Sequence, residues 1–300
     1  MQIILRLVII CMRKILVTGE NGQLGSELKE LSVLYPQYQF TFTDRNTLDL
    51  TNLCKIEDYF DDKHFDSIIN CAAYTAVDKA QSEEDLANTI NHRAVSLLAK
   101  IAKKKTISLI HISTDYVFDG QNYRPYIETD PTDPQGVYGR TKRDGENAIL
   151  EASPHNSIII RTSWVYSSFG NNFVKTMLRL GKERDSLGVI FDQIGTPTYA
   201  RDLAKALLDI LPKIKNNSPE IYHYSNDGVT SWYDFASVIF ELSKINCHVN
   251  PITAEEYPLP APRPHYSLLN KAKIKNDFGI TIPYWKNSLK ECIELLGEKL

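Results

Sequence analysis

The stretch that decides the fold is residues 14–25, which read KILVTGENGQLG. Lys14–Thr18 is apolar and rich in aliphatic side chains, so it is predicted to form a buried β-strand. Gly19, Gly22 and Gly25 follow at three-residue intervals, and a helix is predicted directly after them. Glycines so spaced allow a tight turn and let backbone N–H groups at a helix N-terminus approach a pyrophosphate. A glycine motif alone is weak evidence, but its position between strand and helix favours a dinucleotide-binding turn.

Short β-rich runs alternate with helical stretches in the first part of the chain. The predicted strands are Lys14–Thr18, Gln39–Thr43, Ser67–Cys71, Ser108–Ser113 and Ser157–Thr162. The predicted helices are Ser26–Leu34, Asn52–Lys63, Glu83–Lys103 and Pro134–Glu151. Apolar strands flanked by helices indicate an α/β fold with a parallel sheet covered on both faces. Right-handed crossovers then require a doubly wound, Rossmann-type arrangement.

The remainder of the chain is less regular. Helices are predicted at Asn172–Lys182, Arg201–Lys213, Trp232–Lys244 and Lys286–Glu298, and the proline-rich passage Tyr257–Pro264 is predicted to be an extended loop. We expect residues 13–168 to form an NAD(P)-binding domain. Residues 169–300 are expected to form mainly a smaller, mixed substrate-binding lobe, with some segments returning to the first domain.

Composition excludes several classes of function. The net charge of −3 and the pI near 6.2 provide no basic surface for nucleic acid or an acidic membrane. The five cysteines include no C-x-x-C, which predicts reduced thiols and a cytoplasmic protein. The seven histidines form no ligand cluster, so no metal site is predicted. Residues 1–12 are expected to be a non-native or dispensable extension read from an upstream start codon, with Arg13 opening the first strand.

Asp44 closes the second predicted strand, nineteen residues after Gly25. A carboxylate at this place is suited to accept hydrogen bonds from an adenosine ribose, although Asp44 is equally typical of a turn. Arg45 follows it, and its guanidinium suits a 2′-phosphate. Asp44 therefore favours NADH and Arg45 favours NADPH, and both cofactors stay open.

The positions of three polar residues predict a site for proton transfer to a carbonyl group. Thr114 closes the fourth strand at the edge where open α/β sheets bind ligands. Tyr138 and Lys142 are four residues apart on a predicted helix, so they share one face. A free tyrosine has a pKa of about 10, and the neighbouring cation is expected to lower that pKa. Thr114 is expected to hold the substrate carbonyl. Alone, Y-x-x-x-K is more often a solvated helical face.

With these residues, the chain resembles a known family, the extended short-chain dehydrogenase/reductases, and more narrowly their dTDP-4-dehydrorhamnose reductase branch. The resemblance spans roughly Arg13 to the C-terminus. Its motifs are NCAAYTAVDKA at 70–80, STDYVF at 113–118, VYGRTK at 137–142, RTSWVY at 161–166, NNF at 171–173 and RP at 263–264.

The resemblance implies which residues hold the ligands. Combined with the residues already singled out in the glycine turn and with Arg45, it gives one set of expected NAD(P)H contacts. They are Gly19, Gly22, Gln23, Leu24, Gly25, Asp44, Arg45, Asp49, Leu50, Ala72, Ala73, Tyr74, Thr75, Tyr138 and Lys142. The nucleotide-sugar contacts are expected at Val77, Thr114, Asp115, Trp164, Asn172 and Arg263. By residue type alone, Val77 and Trp164 are as typical of a core, and Asp115 of a strand-end cap. Arg263 lies in a stiff proline-rich loop, where one guanidinium suits a diphosphate.

The resemblance also implies an activity: NAD(P)H-dependent reduction of the C4 ketone of a dTDP-linked 4-dehydro-sugar. Other nucleotide-sugar 4-ketoreductases or epimerases, and a non-catalytic regulatory subunit like that of methionine adenosyltransferase, stay open as alternatives. Asp115 has no adjacent glutamate, which favours simple reduction over elimination. Some family members are thought to dimerise through a metal; Glu27 matches one such position, but Arg201 replaces a carboxylate. We therefore predict no bridging metal, and a monomer or weak homodimer.

Overall fold

The structure is a computed structural model that describes residues 12–299, so the predicted N-terminal extension lies outside the described residues except for Met12. The strands are β1 (Arg13–Thr18), β2 (Tyr38–Thr43), β3 (Ser67–Asn70), β4 (Ser108–Thr114), β5 (Ile158–Thr162), β6 (Val165–Tyr166), β7 (Ser186–Ile190), β8 (Ile194–Gly195), β9 (Thr198–Tyr199), β10 (Glu220–His223), β11 (Thr230–Ser231) and β12 (His248–Ile252). The helices are α1 (Gln23–Leu31), α2 (Leu53–Asp61), α3 (Val77–Ala80), α4 (Glu84–Asn88), α5 (Ala94–Lys105), α6 (Val137–Ala152), α7 (Phe173–Glu183), α8 (Ala200–Ile210), α9 (Trp232–Ser243), α10 (Ala272–Phe278) and α11 (Trp285–Lys299).

Six parallel strands form the central sheet, in the order β10-β5-β4-β3-β1-β2. The pattern of β1 shows why the sheet is covered on both faces. Ile15 and Val17 join a core cluster with α1, α8 and α10, whereas Leu16, between them, joins a cluster with α2 and α5 on the opposite face. The predicted doubly wound parallel sheet is therefore confirmed.

The strand order reverses between β1 and β3, since β2 lies on one side of β1 and all later strands lie on the other. At such a point the loops that leave the carboxyl ends of adjacent strands diverge and open a crevice. The glycine turn after β1 and the Cys71–Thr75 loop after β3 both leave the sheet there. The fold thus places the two predicted cofactor loops on either side of one crevice.

A smaller lobe packs around a third apolar cluster. Its members come from α7, α9 and α11 and from the parallel pair β7 and β12. Two later elements lie with the central sheet, because β10 pairs with β5 and α8 packs on α1. Sequence patterns did not predict β10, β7, β12 or α10, whereas they did predict the absence of regular structure in Tyr257–Pro264.

The long predicted helix Glu83–Lys103 is present, but it is not uniform. It consists of α4, a π-helical turn at Thr89–Arg93, and α5. A π-helical turn inserts one extra residue and turns the side chains after it, and such turns are frequent at functional sites. This one directs the fully buried Asn91 toward the loop after β3, where it matters for the site described next.

Candidate active site

One cavity of about 830 Å³ occupies the crevice. It is lined by both loops at the reversal of the strand order, by the carboxyl end of β4 and by one face of α6. Every residue predicted to bind the cofactor contributes to its lining. The cavity also reaches four residues predicted to bind the sugar, which are Val77, Thr114, Asp115 and Trp164.

The glycine turn is shaped by close approach of backbone to backbone. Gly19 has a φ of +75°, and a Cβ there would lie 2.8 Å from the Ala72 nitrogen, so a larger residue is excluded. The Gly22 N–H donates to the Gly19 carbonyl (3.0 Å), and α1 begins directly afterwards without a side-chain cap. The first residues of α1 line the cavity and their N–H groups have no side-chain cap, which suits an anionic group.

Asp44 both begins a turn and lines the cavity. Its Oδ1 accepts hydrogen bonds from the N–H groups of Asn46 and Thr47, each at 3.0 Å, and these bonds hold the pKa of the exposed carboxyl below its usual range. Arg45 is 78% exposed and lies 3.9 Å from Asp49. The carboxylate is thus fixed in place, whereas the guanidinium is free to turn toward a ligand.

The loop after β3 is held by the π-helical turn. Asn91 accepts from the Tyr74 N–H (2.9 Å) and donates to the Tyr74 carbonyl (3.1 Å). The same amide donates to the Thr141 hydroxyl on α6 at 3.1 Å. Asn91 therefore fixes the cofactor loop relative to the helix that carries Tyr138. Asn91 was not predicted as a site residue, because it lies in the mostly polar run TINHR at 89–93, where nothing distinguishes it.

The three predicted catalytic residues meet at one end of the cavity. Thr114 closes β4, and its hydroxyl donates to the Asp115 carboxylate at 3.0 Å and contacts the Tyr138 hydroxyl. Tyr138 and Lys142 lie one turn apart on α6, as the spacing predicted. Gly139 lets this helix lie against the turn that follows β4, because a Cβ there would collide with the Tyr116 carbonyl oxygen.

The structure does not show the lowered pKa that was predicted for Tyr138. Burial raises the pKa of Tyr138 to about 12, and Lys142 does not offset that rise. The Lys142 ammonium is directed away, into hydrogen bonds with the Ile112 carbonyl (2.6 Å) and His111 Nε2 (3.2 Å). Burial also lowers the pKa of Lys142 to about 8.

Among the predicted sugar contacts, Asp115 and Trp164 form distinct parts of the cavity wall. Asp115 is 1% exposed, and burial raises its pKa to about 6. Trp164 has a φ of +48° and stacks on Trp232, with ring centroids 3.7 Å apart. A non-glycine residue rarely adopts this backbone conformation, and here it turns the indole toward the cavity. Trp232, which stacks behind Trp164 and does not line the cavity, was not predicted.

Two predicted sugar contacts lie outside the cavity lining. Asn172 accepts from the Lys175 N–H (3.1 Å) and donates to Gln23 Oε1 (2.9 Å), so it caps α7 and joins it to α1. Arg263 makes a two-pronged ion pair with Asp78, with contacts of 2.6 and 2.7 Å. The guanidinium expected to meet a diphosphate is thus already engaged by a carboxylate.

Known proteins are similar to this chain over more than nine tenths of its length. A family model described as the RmlD substrate binding domain matches residues 12–297. A dTDP-4-dehydrorhamnose reductase of Aggregatibacter actinomycetemcomitans is 44% identical over 93% of this chain and 98% of its own length. The Escherichia coli (strain K12) protein of the same name is 41% identical over 94% and 97%.

Solved structures agree with these relatives. A dTDP-4-dehydrorhamnose reductase from Clostridium acetobutylicum superposes with a TM-score of 0.90 at 43% identity, covering 95% of this chain and 99% of that one. The reductase of Bacillus anthracis, solved in complex with NADP, superposes with a TM-score of 0.89 at 37% identity, covering 94% and 99%.

The parallel sheet, the glycine turn and the Tyr138–Lys142 helix define an oxidoreductase of the extended short-chain dehydrogenase/reductase class. Within that class, the chain belongs to the dTDP-4-dehydrorhamnose reductase family. Within residues 12–299, no helix is both long and apolar enough to cross a membrane.

Proposed function

We propose that the chain uses NADPH or NADH to reduce the C4 ketone of dTDP-4-dehydro-β-L-rhamnose, giving dTDP-β-L-rhamnose in the final step of dTDP-L-rhamnose biosynthesis. The observation that carries this proposal is the single cavity that joins the glycine turn to the Thr114–Tyr138 contact. The glycine turn would hold the pyrophosphate of a dinucleotide, and Thr114 and Tyr138 would hold a carbonyl in the same cavity, where the nicotinamide would supply a hydride. The relatives' names supply the sugar and the base.

The cavity fits a nicotinamide dinucleotide. Gly19 and Gly22 leave a cradle at the N-terminus of α1 that a Cβ would narrow, and this cradle suits the pyrophosphate. Asp44 and Arg45 lie where the adenosine ribose is expected, and the loop Ala72–Thr75 forms the opposite wall. When bound, the cofactor supplies the hydride for the carbonyl carbon.

Tyr138 supplies the matching proton. A pKa near 12 keeps its hydroxyl protonated at neutral pH, which is the state required for donation to the carbonyl oxygen. Thr114 orients that oxygen through a hydrogen bond. Lys142, with a pKa near 8, is mainly charged at neutral pH and places a cation one helical turn from the phenolate that Tyr138 becomes.

Val77, Asp115 and Trp164 are proposed to form the wall against the sugar. For Asn172 we propose a supporting role through α7, and for Arg263 a role through its ion pair with Asp78. The division into residues 13–168 and 169–300, a monomeric or weakly dimeric state, and a cytoplasmic location stay predictions.

The proposal is tested with a panel of nucleotide 4-keto-sugars, by following nicotinamide absorbance and identifying the product sugar. Tyr138→Phe should lower turnover by about 10²–10⁴ with little change in the dissociation constant for NADPH. Tyr116 offers a matched control, because its ring lies edge-on to Tyr138 in the same cavity, with centroids 5.5 Å apart. Tyr116→Phe should change turnover by less than about tenfold. A Tyr138→Phe enzyme as active as the parent would show that Tyr138 is not the acid.

A further inference from the structure

A row of buried polar side chains lies behind Lys142, on the side away from Tyr138. Lys142 Nζ lies 3.2 Å from His111 Nε2, and His111 Nδ1 lies 2.9 Å from the Asn70 Nδ2. The Asn70 Oδ1 in turn accepts from the Thr18 hydroxyl at 2.6 Å. The row therefore crosses the carboxyl ends of β4, β3 and β1, from the catalytic helix to the residue before the glycine turn.

Burial makes this row energetically demanding. Thr18, Asn70 and Lys142 are each 1% exposed, and His111 is 0% exposed. A buried polar atom without a partner costs free energy, so each donor must face an acceptor. A neutral imidazole has one N–H and one lone pair, whereas here its two nitrogens face an amide and an amine.

Two arrangements satisfy this count. In one, the Nε2 lone pair of His111 accepts from a charged Lys142, and Nδ1–H donates to the Asn70 oxygen. This arrangement requires a half-turn of the Asn70 amide, whose amino group then faces the Thr18 oxygen in place of the hydrogen bond described above. In the other, the Asn70 amino group donates to Nδ1, so Nε2 carries the hydrogen and Lys142 must be neutral to accept it. The tautomer of His111 is therefore coupled to the charge of Lys142.

We propose that His111 is a positioning residue for the reduction, whose Nε2 lone pair holds Lys142 in place and keeps it in the charged form. The activity readout of this inference rests on the proposed function; the coupling itself does not. A hydrogen bond to the charged form of a group raises the proton affinity of a base, and this effect opposes the burial that lowers the pKa of Lys142 to about 8.

The other ionisable groups around Lys142 do not replace this contact. On α6, Glu146 favours the charged amine, but it is shared with Arg161 through contacts of 2.7 to 3.2 Å. Cys71, after β3, acts in the same direction only when it is ionised, and burial raises the pKa of its thiol. Tyr138 is protonated near neutral pH. His111, on β4, therefore provides the side-chain lone pair that Lys142 contacts directly.

The test separates the two nitrogens of His111 with a matched pair of variants. His111→Gln places an amide oxygen near the position of Nε2 and so keeps an acceptor for Lys142. His111→Asn places its amide near the position of Nδ1, which keeps the Asn70 contact and removes the acceptor for Lys142. The pKa of Lys142 is read in the intact protein by NMR titration of ¹³Cε-labelled lysine, with the Lys142 signal assigned from a Lys142→Arg variant.

We expect His111→Asn to lower the pKa of Lys142 by about one unit and His111→Gln to leave it within about 0.3 unit. Equal shifts in both variants, or none in either, would overturn the proposal. ¹⁵N-labelled histidine in the unsubstituted chain gives a reading that needs no variant. At pH 7, Nε2 should be the nitrogen without hydrogen, and the opposite tautomer would also overturn the proposal.

Activity gives the second readout. The alkaline limb of kcat/KM should move down by about one pH unit in His111→Asn, which lowers the rate at pH 7.5 about threefold, and His111→Gln should restore the limb. Equal losses in both variants without a shift of the limb would indicate a merely structural role and overturn the proposal. The NMR titrations require no substrate, so failure of the parent chain to reduce the keto-sugar would refute the proposed function without touching the coupling of His111 and Lys142.

Discussion

The ion pair between Asp78 and Arg263 offers the sharpest perturbation outside the catalytic residues. Asp78 lies on α3, directly after the cavity residue Val77, and Arg263 lies at the end of the proline-rich loop. The Ala261 N–H also donates to Asp78 (3.1 Å), and Arg263 donates to the Ala261 carbonyl (2.6 Å). One carboxylate thus fastens the loop to the wall of the cavity. We expect Arg263 to support sugar binding through this fastening rather than through the diphosphate.

The geometry of the Asp78–Arg263 pair sets the expected size of the change in KM. A two-pronged charged pair is worth about 1.5–3 kcal/mol when it is well shielded. Here the Asp78 side chain is 37% exposed and that of Arg263 is 18% exposed, so solvent screening reduces the value to about 1–2 kcal/mol. This free energy corresponds to a factor of roughly 5 to 30. We expect KM for the nucleotide sugar to rise by that factor in Arg263→Ala, with little change in KM for NADPH.

A double-mutant cycle provides the assay. Asp78→Ala, Arg263→Ala and the double variant should all raise KM for the sugar to a similar extent, because each releases the same loop. Arg263→Lys should recover part of the loss, since an ammonium cannot form the two-pronged pair. The matched control is Arg124→Ala, which breaks a two-pronged pair with Asp130 elsewhere on the chain. If the increases in KM of the two single variants add up in the double variant, or if KM falls in Asp78→Ala, the ion pair does not act by holding the loop. Either result would indicate that Arg263 contacts the diphosphate directly.

Three further predictions concern other parts of the site. Both NADPH and NADH should support turnover, and Arg45→Ala should lower the affinity for NADPH more than the affinity for NADH in binding titrations. Equal losses of affinity would show that Arg45 does not contact the 2′-phosphate. Activity should survive EDTA, because the Arg201 guanidinium lies 3.2 Å from Glu27, and loss restored by magnesium would contradict this. The raised pKa of Asp115 stabilises the folded chain below about pH 4, and this contribution is lost as pH rises through about 6. In denaturant titrations, the free energy of unfolding of Asp115→Asn should therefore exceed that of the parent by about 2–3 kcal/mol at pH 7.5 and show almost no difference at pH 4. An equal difference at both pH values would show that ionisation of Asp115 is not its cause.

The sequence predicted the parts of the fold that local pattern determines. Among the first five strands of the sheet, β2 alternates polar and apolar residues and the others are mainly apolar, and helices separate each of these strands from the next. β10 was not predicted because it is four residues long and its partner, β5, lies about sixty residues earlier in the chain. β12 contains Pro251, which is unfavourable in a strand, and only its pairing with β7 identifies it.

The same distinction applies to the site. Residues predicted from their own motif, such as Tyr138 on its helix, line the cavity. The partners of side chains were not, because pairing is a property of the folded chain. Nothing in the spacing shows that Asp78 engages Arg263 or that Lys142 turns toward His111. A histidine inside the apolar strand β4 was the single sequence signal for that contact.

The central claim is that this cavity delivers a hydride to C4 of a nucleotide-linked 4-keto-sugar. The most direct measurement is the reaction of dTDP-4-dehydro-β-L-rhamnose with nicotinamide-deuterated NADPH, with the product analysed by mass spectrometry and NMR. The account predicts one deuterium per product molecule, located at C4 of dTDP-β-L-rhamnose, and a loss of turnover in Tyr138→Phe. Oxidation of the cofactor without deuterium at C4, or a deuterium at another ring carbon, would contradict it.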